Sequence, residues 1–203
     1  MNFKHTLKKR RMIKGNLVGL RAVEKEDLPL LRDWRNITDF RRNFREVREL
    51  SLYNQEKWIT NVNNSPNDFM FVIVDLNTNE SIGACGLLYT NWIIRSADFS
   101  FYIGKDDTYI DKYGWAEEAA QLLIEYGFNN LNLNKIWMEL YEYDSKKIAF
   151  FTQQFGFKKE GILRDNCFEN GRYWNSFIIS LLRREFDSTN TQKKLAESAL
   201  VEN

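Results

Sequence analysis

The sequence predicts a single α/β (α+β) domain, and three observations carry that prediction. Strand-like and helix-like segments follow one another as strand, two helices, three strands, helix, strand, helix, two strands, with no internal repeat or low-complexity segment. The strands in the middle run on without an intervening helix, which excludes the repeated strand–helix–strand units of a dinucleotide-binding domain. Residues 97–128 then read as a strand, a turn rich in charge and glycine, and a long amphipathic helix.

Each element has its own local reason. Residues 16–23 form a first strand, and residues 25–36 a helix carrying Leu28, Leu31 and Trp34. Ser51 can cap a second helix that presents Leu52, Trp58, Ile59 and Val62. Residues 69–76 and 81–89 are strands joined by the turn Asn77-Thr78-Asn79-Glu80. The strand at 97–103 alternates, with Phe99, Phe101 and Ile103 on one face and Asp98, Ser100 and Tyr102 on the other. The helix after the glycine turn buries Ala116, Ala120, Leu123, Ile124, Gly127 and Phe128 and leaves Glu117, Glu118, Gln121 and Glu125 in water. Residues 135–141 form a further strand, and Asp144 caps a helix with Ile148, Phe151 and Phe155 inward. Residues 158–163 and 172–182 are the final strands, with Asn170-Gly171 as a strong hairpin signal between them.

Composition bounds the chemistry. At 203 residues and 43% hydrophobic content the chain can bury one substantial core. No apolar run approaches a membrane span, no signal peptide is evident, and the net charge of +1 argues against generic nucleic-acid binding. Cys85 and Cys167 stand in no paired motif, so neither a disulfide framework nor a zinc site is indicated, and a cytoplasmic protein without a metal is expected. The single histidine, His5, falls in a basic leader, which leaves carboxylate, tyrosine, thiolate or water as the general base. Residues 1–12 are expected to be a flexible basic extension, residues 13–186 the folded domain, and residues 187–203 a polar C-terminal tail.

The turn Lys112-Tyr113-Gly114-Trp115-Ala116 is the feature that points to a ligand. Gly114 and Ala116 let backbone N–H groups come close to an anion where a helix N-terminus carries partial positive charge, which makes a phosphate cradle. It is neither the phosphate loop of the nucleotide hydrolases nor the Gly-x-Gly-x-x-Gly of dinucleotide binders.

Taken with the order of elements, five local motifs resemble the GCN5-related N-acetyltransferase (GNAT) superfamily over residues 13–186. Gly15-Asn16-Leu17-Val18-Gly19-Leu20-Arg21 is similar to its opening strand, Trp34-Arg35-Asn36 to the end of its first helix, and the glycine turn to its x-x-Gly-x-Gly/Ala loop. Phe155-Gly156-Phe157-Lys158-Lys159-Glu160-Gly161 is close to its Leu-Gly-Phe-x-x-Glu-Gly. Phe168-Glu169-Asn170-Gly171-Arg172-Tyr173 further resembles the branch of ribosomal-protein alanine and spermidine acetyltransferases. The resemblance implies a central mixed, mostly antiparallel sheet of about seven strands, splayed between the fourth and fifth, with about four flanking helices.

It also implies an acetyl-CoA site. Backbone groups of Phe101, Tyr102 and Ile103 would bind the pantetheine arm, and Lys112, Tyr113, Gly114, Trp115 and Ala116 the pyrophosphate. Asp144, Lys147 and Phe151 would flank the coenzyme. The departures are Asp111 where the family prefers glutamine or arginine, a longer acidic loop with Asp106 and Asp107, and Thr152 where many relatives have the tyrosine that protonates the departing thiolate.

The candidate bases are Asp98, which aligns with the strand-four glutamate of the superfamily's histone acetyltransferases, and Glu139; Tyr141 and Tyr143 are candidate acids. For the amine acceptor, Arg35, Asn36, Arg41, Arg45, Tyr89 and Tyr173 are the candidate contacts, with Trp92 beside them. Arg41, Arg45 and Arg48 have the spacing of one helical face and would favour an anionic acceptor such as a nucleotide-linked amino sugar. A polyamine acceptor, a protein N-terminus, and a non-catalytic coenzyme-binding sensor or scaffold stay open, as does a homodimer.

Overall fold

The structure, a computed structural model, describes residues 12–111 and 113–188. The expected basic extension up to residue 11, His5 within it, Lys112 of the glycine turn, and the tail beyond residue 188 lie outside the described residues. The domain is built on an eight-stranded sheet in the order β1-β2-β3-β4-β5-β6-β8-β7. Its strands are β1 (Ile13–Lys14), β2 (Val18–Ala22), β3 (Phe69–Asp75), β4 (Ser81–Asn91), β5 (Ser96–Ile103), β6 (Lys135–Tyr141), β7 (Lys158–Glu169) and β8 (Arg172–Leu182). The sequence leads one to expect about seven; the short β1, whose Ile13 pairs with Leu20, makes the eighth. All neighbours are antiparallel except β5 and β6.

The helices are α1 (Leu28–Asn36), α2 (Thr38–Arg41), α3 (Leu52–Asn64), α4 (Trp115–Glu125) and α5 (Ser145–Ala149), with a further helical stretch at residues 183–188. Ser51 caps α3 as expected: its Oγ accepts the Asn54 N–H, and Asn54 returns a bond to the Ser51 N–H. At the last hairpin Asn170 (φ 53°) and Gly171 (φ 79°) both take the left-handed conformation that a two-residue turn requires. None of the described helices is long and apolar enough to cross a membrane.

β5 is the axis of the core. The alternation expected of it holds, yet both faces are covered, because the even face is roofed by α1 and the segment after it. Trp34, Phe40 and Phe44 stand edge-on to the Tyr102 ring. On the odd face Phe99 and Phe101 meet Phe151, just beyond α5, and α4 lies over the neighbouring strands, with Gly127 in the turn after it against Leu87. Each such fully buried aromatic or aliphatic side chain contributes about 1.5–3 kcal/mol of transfer free energy.

One expectation about α4 is corrected. Glu118 is not a water-facing residue: its carboxylate accepts the N–H groups of Asn16, Leu17 and Val18, each at 2.7 Å. The chain entering β2 has no strand partner for those donors, and a carboxylate satisfies all of them. A second tie is the buried, two-pronged pair of Arg21 with Asp27 at 2.7 Å, which fixes β2 to the start of α1.

Candidate active site

The site forms where β5 and β6 part. Their pairing covers only Ser96–Asp98 against Lys135–Trp137, whereas β6 is paired with β8 from Lys135 to Tyr141, and the rest of β5 is left open on that side. In a strand, alternate residues aim their N–H and C=O to opposite edges. Phe101 and Ile103 aim theirs into the gap: the Phe101 carbonyl accepts the Lys147 ammonium at 2.7 Å, and Ile103 exchanges both its backbone bonds with Tyr109. The backbone of Tyr102 therefore faces β4, opposite Ala84.

The glycine turn lies beyond the open end of β5. Gly114 caps α4 with φ 91°, a conformation that glycine takes without strain. The N–H groups of Tyr113, Trp115 and Ala116 converge on one anion, the Asp111 carboxylate, at 2.6, 3.2 and 2.6 Å. Three N–H groups converging on one point have the chemistry to hold an anionic group such as a pyrophosphate, and here the Asp111 carboxylate holds that position. Sequence reasoning registered Asp111 only as an unfavourable charge; an acidic residue just before a helix start is the signal that it would bond to that terminus.

A cleft of about 570 Å³ opens beside the parting strands and is lined by Asp98, Glu139 and Lys147 among others. Arg45 reaches into it and bridges the two carboxylates, 2.6 Å from Asp98 and 3.4 Å from Glu139. Burial pushes the Asp98 carboxyl above its ordinary range, and Arg45 pulls it part of the way back. Glu139 is also held by Ser176 at 2.7 Å and Asn166 at 2.6 Å. Cations line the same cleft: Arg35, Arg45, Arg48 and Lys57, besides Lys147.

The other candidates are placed as follows. α2 ends at Arg41, so Arg41, Arg45 and Arg48 do not share a helical face; Arg41 pairs with Glu49 and Arg48 with Glu46. Arg35 lies over the Phe44 ring at 4.6 Å. Asn36 exchanges two hydrogen bonds with the backbone of Leu50, which fixes the loop that carries Arg45. Tyr89 lines the cleft, whereas Tyr173 packs against Phe168 at the far hairpin. The Tyr141 ring lies tilted against that of Tyr143, whose hydroxyl donates to the Arg42 carbonyl. Asp144 accepts the Tyr109 hydroxyl at 2.7 Å and caps α5 through the Lys147 N–H. Phe151 is buried under Phe99. The Thr152 hydroxyl donates to the Ile148 carbonyl one helical turn back, at 2.8 Å.

Parting strands beside a glycine-capped helix define the acetyltransferase class of fold, and the comparisons agree. Residues 18–158 match the model of the acetyltransferase (GNAT) domain, and the chain belongs to that family. It is accordingly an N-acetyltransferase with acetyl-CoA as co-substrate. An N-acetyltransferase p20 of Bacillus licheniformis, of uncharacterised activity, is 34% identical over 57% of this chain and 63% of its own length. A spermidine N(1)-acetyltransferase of Escherichia coli K12 is 27% identical over 86% of this chain and 91% of its own. Among solved structures, the spermidine N-acetyltransferase of Vibrio cholerae in complex with CoA and spermine superimposes with a TM-score of 0.77 at 26% identity. The match covers 85% of this chain and 99% of that one.

Proposed function

We propose that the chain acetylates a small primary amine that docks its nitrogen against Asp98 and Glu139 and carries an anionic group elsewhere. The observation behind this is a pair of carboxylates bridged by one guanidinium in a cleft that also carries Arg35, Lys57, Lys147 and the Arg48–Glu46 ion pair. The amine displaces or slides past Arg45 and attacks the thioester carbonyl carbon as the free base, and its nitrogen gives up its proton to Asp98 directly or through one water. The new C–N bond forms as the C–S bond breaks, and the electron pair leaves on sulfur. Ionised Asp98 is the competent form, so its raised pKa sets the acid side of the activity profile. Arg35 and Lys57 then face the remainder of the acceptor and favour phosphate or carboxylate there.

A second reading is favoured by the relatives, whose printed names specify spermidine: a polyamine acceptor, with one ammonium taking the place of the Arg45 guanidinium. A released-thiol assay with acetyl-CoA and a panel of amines separates the two. Turnover of an anion-bearing amine, such as a nucleotide-linked amino sugar, is the expected result. Robust turnover of spermidine with no turnover of any anionic amine selects the second reading.

A further inference from the structure

We propose that Lys147 is the acid of this acetyltransferase: its ammonium receives the negative charge, and then gives the proton, as sulfur departs from the acetyl carbon. The inference rests on the acetyl-CoA reading of the site and concerns one residue within it. The position where many relatives carry a tyrosine acid holds Thr152, and its hydroxyl is spent on the Ile148 carbonyl. Of the nearby phenols, Tyr109 is committed to Asp144 and Tyr143 to the Arg42 carbonyl, while Tyr141 lies against the Tyr143 ring with its own pKa raised by burial. Burial raises the pKa of Tyr109 and Tyr143 too, away from an acid's useful range.

Lys147 has the opposite character. It is 5% exposed, on α5, with its ammonium in the gap between β5 and β6 and on the wall of the cleft that holds Asp98 and Glu139. Among the described residues it makes one side-chain hydrogen bond, to the Phe101 carbonyl, and no carboxylate lies within ion-pairing distance. An ammonium has three donors, so two remain for a ligand in the gap, and a buried charge left underpaired is costly unless something else uses it. The Tyr109 ring, 5.2 Å away, lends further support to the charge. The charged groups facing it are Asp144 on its own helix, Asp98 on β5 and Arg35 on α1, with Arg45 and Glu139 farther across the cleft. Burial lowers its pKa to about 8, with Asp144 and Asp98 opposing that fall and Arg35 adding to it. Such a group is charged at neutral pH yet gives up its proton readily.

The step balances. The amine nitrogen bonds to the carbonyl carbon and loses a proton to Asp98; the C–S electron pair goes to sulfur; Lys147 protonates the sulfur and is left neutral; solvent exchange restores both groups. No further reactant is needed.

The test compares CoA with desulfo-CoA, its analogue lacking sulfur, by calorimetry on the wild type, Lys147→Met and Lys147→Arg, together with the ultraviolet absorbance of bound thiolate. The wild type is expected to prefer CoA by about tenfold above neutral pH, the worth of one charge-assisted hydrogen bond. Its bound CoA should show thiolate absorbance at a lower pH than free CoA does. Lys147→Met, nearly isosteric, should lose both signals and keep its desulfo-CoA affinity, whereas Lys147→Arg should keep the thiolate signal yet turn over at least about a hundredfold more slowly. An unchanged CoA preference and thiolate signal in Lys147→Met overturns the proposal. So does loss of desulfo-CoA binding in that variant, which would make Lys147 a brace. Failure of the wild type to bind either molecule overturns the coenzyme site itself, and is distinct from both.

Discussion

Asp98 and Arg45 have to be considered together. A carboxyl so buried would ionise only well above its usual range, and the guanidinium 2.6 Å away limits that rise. Asp98→Asn should lower turnover by about tenfold to ten-thousandfold, the usual reach of one proton-transfer group. Arg45→Met should act differently. It removes the charge that favours the ionised carboxylate, so the pKa of Asp98 climbs further and the rising limb of the activity profile moves to higher pH. The pH dependence of kcat/KM in the two variants checks this; an unmoved limb in Arg45→Met would separate Asp98 from the proton transfer. Asp111 invites a second experiment at this scale. Its carboxylate holds the N–H groups that a pyrophosphate would use, so coenzyme must displace it. Asp111→Ala should bind CoA more tightly by calorimetry, while the helix end loses about 1 kcal/mol of capping stability. Weaker CoA binding would mean that Asp111 shapes the loop for the ligand.

At the scale of elements, the turn before α4 and the anchor behind it decide whether the cradle exists. Gly114 sits at φ 91°, where a β-branched residue is strained by about 1–3 kcal/mol, although only Leu17 crowds the space a Cβ would fill. A folded Gly114→Val protein should therefore bind acetyl-CoA at least about tenfold more weakly, because the strain is relieved by moving the donors. Unchanged affinity would remove the turn from the site. Glu118, one helical turn on, ties α4 to the entry of β2. Glu118→Ala leaves the Asn16 and Leu17 N–H groups to water but strands that of buried Val18, and should destabilise the domain by about 1–3 kcal/mol in a denaturant titration. The helix periodicity that exposed the buried face of α4 is blind to this tie, because the partners are a hundred residues apart and backbone donors leave no side-chain pattern. The same limit applies to Arg45. The loop after α2 is not helical, so the spacing of Arg41, Arg45 and Arg48 carried no geometry, and the contact with Asp98 and Glu139 spans three separate segments. By contrast Ser51, Asp144 and Asn170-Gly171 announced their caps and turn correctly, since each acts on backbone within a few residues of itself.

For the whole molecule, the legible part was what burial and local order write into the chain: an alternating strand at β5, a glycine-capped helix after it, and a hairpin at the end. The parting of β5 from β6 is a property of the assembled sheet, in which β6 pairs with β8 along its whole length and with β5 only as far as Trp137, and it reached the sequence analysis through family motifs. The charge of the cleft is likewise a property of the assembled fold. Its cations come from α1, the loop after α2, α3 and α5, and together they predict an acceptor Michaelis constant that rises with salt. A polyamine drawn by carboxylates would also be screened, so the acceptor's own charge, and not salt dependence alone, distinguishes the readings. Acetyl transfer to an amine beside Asp98 is the reaction proposed for the cleft. The most direct test follows free thiol released from acetyl-CoA by the wild type and by Asp98→Asn, with and without each amine of the panel. The account predicts release that requires an amine and falls by at least about tenfold in the variant. Amine-dependent release at equal rates in both proteins, or none from a wild type that binds acetyl-CoA, would contradict it.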